Sequence, residues 1–497
     1  MSNAYAALED RFRRIALLGE ATSMLGWDSA ALMPAGAAEA RAEQLAFLRE
    51  TGHGMLTDPT VGDLLATADG RGLDPWRATN LELMRARWRR ATAIPADLVT
   101  AVSRACSRSE MAWRAARRAN DYEAVRPLLQ TVLDLVREEG RVLGAALGLS
   151  PYDALVDGFE PGLRSVDCDA VFGALEAFLP DLLGAVIERQ AARPAPVAPA
   201  GPFPVATQEA LGRRLMAAVG FDFDRGRLDV SDHPFCGGIP DDLRITTRYD
   251  TDDFAKALMG VLHETGHAMY ERGLPADWRR QPIGEARGMA VHESQSLIVE
   301  MQACRSRAFV GYLAPLAREA FGGTGPAWEP DNLWRLTTQV TRGLIRVDAS
   351  EVAYPLHVIL RYRLEQAMLS GDLALADLPG AWNDGMRRLI GVAPPDDRDG
   401  CMQDIHWYDG AFGYFPTYTF GALIAAQLFA AARTAHPEIP EALGHGDFAP
   451  LMGWLRPNVH ARGASTPWND LVAGATGRPL DVGVFRRHLE ARYLGDG

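Results

Sequence analysis

Apolar residues along this chain recur mainly three and four positions apart, the spacing that lines one face of a helix. That periodicity predicts helices over Tyr5–Leu18, Ala38–Glu50, Asn80–Ala91, Met111–Ala119, Tyr122–Leu147 and Val171–Arg189. The stretch Ala192–Pro204 follows, with Pro194, Pro196, Pro199, Pro202 and Pro204, and reads as a stiff extended connector. Beyond it the pattern predicts helices over Trp334–Arg346, Ala353–Leu369, Leu378–Leu389, Thr419–Ala435 and a C-terminal helical pair. Alternation of the strand type is sparse, and Leu243–Tyr249 is its best instance. The prediction is a mainly α protein with a helical region 1–191, a connector 192–204 and a region 205–497, read as one domain crossed by an ordered proline segment.

One predicted helix carries chemistry. Thr251-Asp252-Asp253 supplies cap residues, Phe254, Ala257, Leu258, Val261 and Leu262 supply the apolar face, and Gly273 stands where a C′ glycine would. Within it lies His263-Glu264-Thr265-Gly266-His267. Residues four apart are neighbours on a helix, so two imidazoles at that spacing can hold one Zn²⁺, with Glu264 beside the open position where water is deprotonated. The bland alternative is an amphipathic helix carrying two histidines by chance. A catalytic zinc needs a third protein ligand. Glu293, in His292-Glu293-Ser294-Gln295, is the candidate, because a carboxylate among Met289, Val291, Leu297, Ile298 and Met301 is costly to bury unless paired or metal-bound. Its alternative is a solvated surface charge. Gly273, Pro275, Pro282 and Gly284 mark the loop that would turn the second helix back onto the first.

Composition narrows the field. Apolar residues make up 47% and charged residues 23% of the chain, as in ordinary globular proteins. The net charge is 51 − 64 = −13, which disfavours nucleic acid as a partner. The N-terminal residues are charged and do not read as a signal peptide. No apolar run reads as approaching membrane-spanning length. Five widely spaced cysteines without a C-x-x-C suit a reducing cytoplasm and no disulfide framework.

Further motifs carry a family resemblance. Asp242-Leu243-Arg244-Ile245-Thr246, Ile345-Arg346-Val347-Asp348-Ala349 and Gly400-Cys401-Met402-Gln403-Asp404-Ile405-His406-Trp407 accompany the two metal motifs in order. Trp27-Asp28, Met33-Pro34, Glu39-Ala40-Arg41 and Phe412-Gly413-Tyr414-Phe415-Pro416-Thr417-Tyr418 join them. Together they resemble the carboxypeptidase Taq family of HExxH zinc metallocarboxypeptidases over nearly the whole chain. The one departure is Ser350, where the family has aspartate. That exchange bears on the placement of Arg346, for which Glu351 or Asp348 are possible substitutes.

The resemblance implies a large helical zincin-like peptidase fold, with a deep substrate groove and a small β-sheet beside the metal-binding helix. It also implies release of single amino acids from peptides bearing a free C-terminal carboxylate, through Glu264-assisted attack of a metal-bound water. Co²⁺ or Mn²⁺ would also suit a His₂Glu site, and the family often forms homodimers. A cation must grip the terminal carboxylate, and arginine suits the task through its planar fork. Arg346 and Arg244 are the candidates, with Arg342 one expected helical turn before Arg346. Side chains alternate on a strand, so Asp242, Arg244 and Thr246 share one side; a strand beside the metal helix could hold an extended peptide by main-chain bonds, and Arg244 could meet a carboxylate or instead pair with Asp241 or Asp242. His406 and then Tyr418 are expected to stabilise the tetrahedral oxyanion, Gln403 and Asp404 to orient their neighbours, and Tyr414 to line the substrate site or simply to pack. Two rival readings share these residues: an oligopeptidase or endopeptidase indifferent to the terminal carboxylate, and a non-catalytic peptide-binding protein.

Overall fold

A computed structural model describes residues 3–495. Helix accounts for 69% of the residues and strand for 3%, the latter in a small three-stranded sheet. The chain is therefore mainly α, as the periodicity predicts. Its helices form two compact units. One comprises the stretch ending at Ala91, Pro196–Thr338 and Ile424–Asp481; the other comprises Thr92–Ala195, Gln339–Leu423 and the stretch from Val482.

In the first unit, helix Asn3–Ala31 is longer than its predicted core and packs Tyr5, Leu8 and Phe12 against Val61, Leu65, Leu81 and Met84 of the following helices. The Trp27-Asp28 and Glu39-Ala40-Arg41 motifs form a clip, in which Arg41 pairs with Asp28 at 2.7 Å and donates to the Leu25 carbonyl. Three strands follow: β1 (Gly226–Val230), β2 (Phe235–Ile239) and β3 (Asp242–Thr247). Their order is β1-β3-β2, with β3 parallel to β1 and antiparallel to β2. Leu228, Leu243 and Ile245 of the sheet pack on Val261 and Ala268 of helix Phe254–Gly273, which sets the sheet beside the candidate metal helix. From Pro196 on, the proline stretch is pinned. Val197 exchanges hydrogen bonds with the Asn332 amide, and Phe203 is buried among Phe254, Phe321 and Trp328.

In the second unit, helices Ala96–Ala119 and Tyr122–Leu147 pack as a pair, and helices Ser165–Glu176, Leu179–Ala191, Tyr354–Ser370, Leu378–Leu389 and Val482–Tyr493 complete it. Two expectations about the helices need correction. The predicted helix Trp334–Arg346 is a shorter helix, Pro330–Thr337, and Arg346 lies in a separate 3₁₀ turn, Arg346–Asp348. Two helical stretches, Ser165–Ala191 and Phe415–Ala435, do reach membrane-spanning length and apolarity; 78% of the apolar window in the second is buried within the protein, as in a core helix.

Candidate metal centre and arginine cluster

The Asp253 carboxylate accepts from the Ala255 and Lys256 amides and caps helix Phe254–Gly273. Gly273 ends the helix for a different reason from the one expected. A Cβ there would stand 2.5 Å from Nδ1 of His460, so the glycine admits a close neighbour rather than a left-handed turn. Inside the motif, Gly266 does comparable work. A Cβ at that position would lie 2.5 Å from the Gln295 carbonyl oxygen and 2.6 Å from the Ser296 Cα. Glycine between the two histidines thus lets helix Met289–Leu297 approach closely enough to present Glu293.

That approach brings three ligand atoms together. Glu293 Oε2 lies 3.7 Å from His263 Nε2 and 3.5 Å from His267 Nε2. The three ligand atoms lie within 4.8 Å of one another, a spacing that suits one ion at bonds of about 2.0–2.2 Å. Against burial, Glu293 and Glu300 raise the His263 imidazole to about 10, so without an ion this site favours a proton, which a bound cation would displace. Burial alone would raise the Glu293 carboxyl, but His263 and His267 hold it down at about 2. Burial and the neighbouring His292 lower His267 to about 4, leaving a neutral imidazole with a lone pair to offer.

One supporting residue was not foreseen. After Leu297 the helix widens into a π-helical turn, Ile298–Cys304, a feature often found at functional sites. This turn carries Glu300, whose Oε2 accepts from His263 Nδ1 at 2.9 Å, while Oε1 accepts from Arg305 at 2.7 Å. Arg305 is itself tied to the Thr337 carbonyl. Carboxylates seven residues apart on one element thus address both nitrogens of His263. Such a partner fixes the tautomer and orientation of a metal-binding imidazole. Among the described residues His267 has no counterpart, since its Nδ1 is buried without a hydrogen-bond partner. His292, next to Glu293, donates to Glu271 and lies against the His267 ring.

Glu264 is buried beside these ligands and accepts the Cys236 amide of β2. Burial pushes its carboxyl up to about 7, near the range suited to a general base at neutral pH. β3, the strand expected to offer its main chain to a peptide, is central and paired on both sides. Arg244 lies on the same strand. It pairs with Asp242 at 2.8 Å and lies 4.6 Å over the Trp27 ring.

The second unit holds a different constellation. Arg346 is buried, donating through Nε and Nη2 to Asp404 (2.7 Å for the shorter bond) and through Nη1 to the Tyr354 hydroxyl at 2.6 Å. Arg361, fully buried, donates to Asp404 at 2.6 Å and to Gln403 at 2.8 Å. Gln403 also accepts the Arg346 amide. Gln403 and Asp404 orient arginines here. Burial would raise the Asp404 carboxyl, yet the two guanidiniums hold it far below the usual carboxylate range. His406 Nε2 lies 3.1 Å from the Tyr418 hydroxyl, and burial lowers the imidazole to about 4 despite Asp404. Tyr414 packs edge-on against Phe159 and beside His406 and Tyr418. Arg342 is turned to the Ile390 carbonyl, because the expected helix is absent at that point.

Ser350 leaves Arg346 in order. Its hydroxyl accepts the Ala353 amide just before helix Tyr354–Ser370, while Asp404 holds the arginine. Glu351 is engaged elsewhere, buried against His488, Arg492 and Tyr493.

Comparison with known proteins agrees with this arrangement of motifs. The model of the carboxypeptidase Taq (M32) metallopeptidase family matches residues 7–493. Thermostable carboxypeptidase 1 of Thermus thermophilus is 39% identical over 502 residues, covering 99% of this chain and 98% of the relative. The structure of Trypanosoma cruzi metallocarboxypeptidase 1 superposes with a TM-score of 0.97 at 38% identity, covering 99% of this chain and 100% of that one. The M32 carboxypeptidase of Deinococcus radiodurans gives a TM-score of 0.93 at 37% identity, with 99% of both chains covered. With this match over nearly its whole length, the chain belongs to the carboxypeptidase Taq (M32) family of metallopeptidases, enzymes that use a divalent metal to hydrolyse peptide bonds.

Proposed function

We propose that the chain is a single zinc carboxypeptidase domain that releases one amino acid at a time from peptides with a free terminal carboxylate. The observation that carries this reading is the convergence of His263 Nε2, His267 Nε2 and Glu293 Oε2 beside a buried Glu264. The two imidazoles and the carboxylate would hold the ion, and Co²⁺ or Mn²⁺ could replace Zn²⁺ in such a donor set. When bound, the ion supplies a Lewis acid that acidifies water toward neutrality and polarises the scissile carbonyl. Glu264 takes the proton of the attacking water and delivers it to the leaving amine.

Arg346 receives the terminal carboxylate of the substrate. Two guanidiniums share the single Asp404 carboxylate, so these three groups retain one positive charge in buried surroundings, where an arriving anion is attracted strongly. His406, neutral above about 4, donates to the oxyanion together with Tyr418. Tyr414 lines the substrate beside them. Arg244, oriented by Asp242, is the second cation offered to the substrate carboxylate.

The test compares an N-blocked dipeptide with its C-terminal amide, using metal-loaded wild type and Glu264→Gln. The reading requires cleavage of the acid alone and its loss in the variant. Equal cleavage of acid and amide would make the enzyme an oligopeptidase.

A further inference from the structure

Helix Tyr354–Ser370 carries a polar stripe on an otherwise apolar element. Tyr354, His357, Arg361 and Glu365 recur at helical spacing on one face, and the last three are fully buried. Buried polar groups are costly unless bonded. The bonds here go chiefly to two chain segments. Tyr354 accepts from Arg346, and His357 Nε2 lies 3.2 Å from the Gly343 carbonyl oxygen. Arg361 holds Gln403 and Asp404. One turn later, Glu365 Oε1 accepts the Trp407 indole N–H at 3.0 Å, and its Oε2 accepts the Gly413 amide at 3.1 Å and the Tyr152 hydroxyl at 3.0 Å.

His406 therefore lies between a residue clamped by Arg361 and a residue clamped by Glu365. The carboxylate also reaches Gly413, so it closes the turn that runs from His406 toward Tyr414 and Tyr418. Glycine is needed at that closure, because Gly413 adopts φ +90° and a Cβ would stand 2.9 Å from the Val156 amide nitrogen. We propose that Glu365 is a positioning residue for His406, holding the 406–413 turn so that the imidazole keeps its place beside the Tyr418 hydroxyl. The inference rests on the oxyanion role given to His406 above.

A carboxylate is specifically required because three donors converge on it, and an ionised acid is all acceptor. Glutamine would turn its amide N–H₂ against the Trp407 indole N–H or against the Gly413 amide. Burial raises the Glu365 carboxyl to about 7, and its three donors pull it back toward the ionised form. The metal ligands are not involved in these bonds.

The test is Glu365→Gln in the metal-loaded, full-length enzyme, with Trp407→Phe as a second variant that removes the same bond from the other side. Both should lower kcat for an N-blocked dipeptide roughly ten- to a hundredfold, the scale of a small misplacement of a catalytic group. KM and the affinity for Zn²⁺ should stay at wild-type values. In ¹⁵N-tryptophan-labelled Glu365→Gln, the Trp407 indole N–H should lose its protection from solvent exchange. Wild-type kcat in either folded variant would overturn the proposal. So would a joint loss of kcat, KM and metal affinity, which would mark general loosening. A His406→Ala enzyme with wild-type kcat would overturn the oxyanion reading and this inference with it, while the indole signal would still report the Glu365 bond.

Discussion

The candidate metal centre and the arginine cluster are both buried polar sites, built on opposite principles. At the metal centre, His263 Nε2, His267 Nε2 and Glu293 Oε2 turn acceptor atoms toward one another. Such a set is completed only by a cation. In the arginine cluster, donors and acceptors already satisfy one another, with Asp404 shared between Arg346 and Arg361 and Gln403 bridging both. The first site depends on a partner from solution; the second is preorganised by its own residues and keeps surplus positive charge. Removing a side chain should therefore cost function with little stability at the first site, and stability together with substrate binding at the second.

The sharpest separation comes from Glu264→Gln. Loss of the base should lower kcat by about 10²–10⁴-fold, while Zn²⁺ binding, followed by competition with a chelating dye, and the melting temperature remain near wild type. A large fall in stability would mean that Glu264 is chiefly a partner of the Cys236 amide in the sheet.

Asp404→Asn should cost stability first, and raise KM for a peptide acid because Asp404 holds Arg346. Removing the carboxylate leaves two buried guanidiniums without their counter-charge, and breaking a buried pair in this way costs about 3–5 kcal/mol, measurable by urea denaturation. The pH dependence has a definite sign. Asp404 is held below its ordinary value, so its contribution is present above the unfolded value near 4 and is lost as pH falls below it. The variant should show a shallower acid destabilisation than wild type.

Legibility in the sequence divides along the same line. The metal site was readable because its two histidines sit four apart on one capped helix and Glu293 interrupts an apolar stretch. Two parts of it were hidden. Gly266 counts only once the second helix is seen pressing on it, and Glu300 reaches His263 through a π-helical turn that periodicity does not announce. The arginine cluster joins Arg346, Tyr354, Arg361 and the 403–404 pair through tertiary contacts. Its motifs could be matched, but their mutual bonding could not be read from spacing. Arg361 and Glu365 did leave a signal, as charges inside the apolar run of helix Tyr354–Ser370. The helix predicted across Arg342 and Arg346 failed because the chain there leaves regular structure to deliver Arg346 into its clamp. The three-stranded sheet was visible only through its central strand.

Smaller effects sharpen the contrast. Glu300→Ala should weaken Zn²⁺ binding by about 10–100-fold, with Glu300→Gln intermediate because it keeps an acceptor for His263 Nδ1. Unchanged affinity in both would show that the carboxylate serves only Arg305. The pH–rate profile should separate Glu264 from His406. A base must be ionised to act, so kcat/KM rises with pH through the Glu264 value, about 7 from burial and lower beside a bound cation. His406→Ala should depress the plateau and leave that limb in place, since the imidazole is already neutral above about 4.

The smallest effect is expected at Ser350, where the resemblance of the motif leads one to expect aspartate. If residue 350 governed Arg346, restoring the acid with Ser350→Asp would change KM for a peptide acid. Arg346, however, spends its Nε and Nη2 on Asp404 and its Nη1 on Tyr354, and Ser350 spends its hydroxyl on the Ala353 amide. Aspartate can accept that amide equally well, as serine and aspartate are near equivalents in such helix-start positions. Stability should therefore shift by no more than about 0.5 kcal/mol, and KM should be unchanged within error. A KM several-fold lower in Ser350→Asp would show that the preorganisation of the cluster is incomplete, and that its surplus positive charge is tuned from a site that does not touch the arginine.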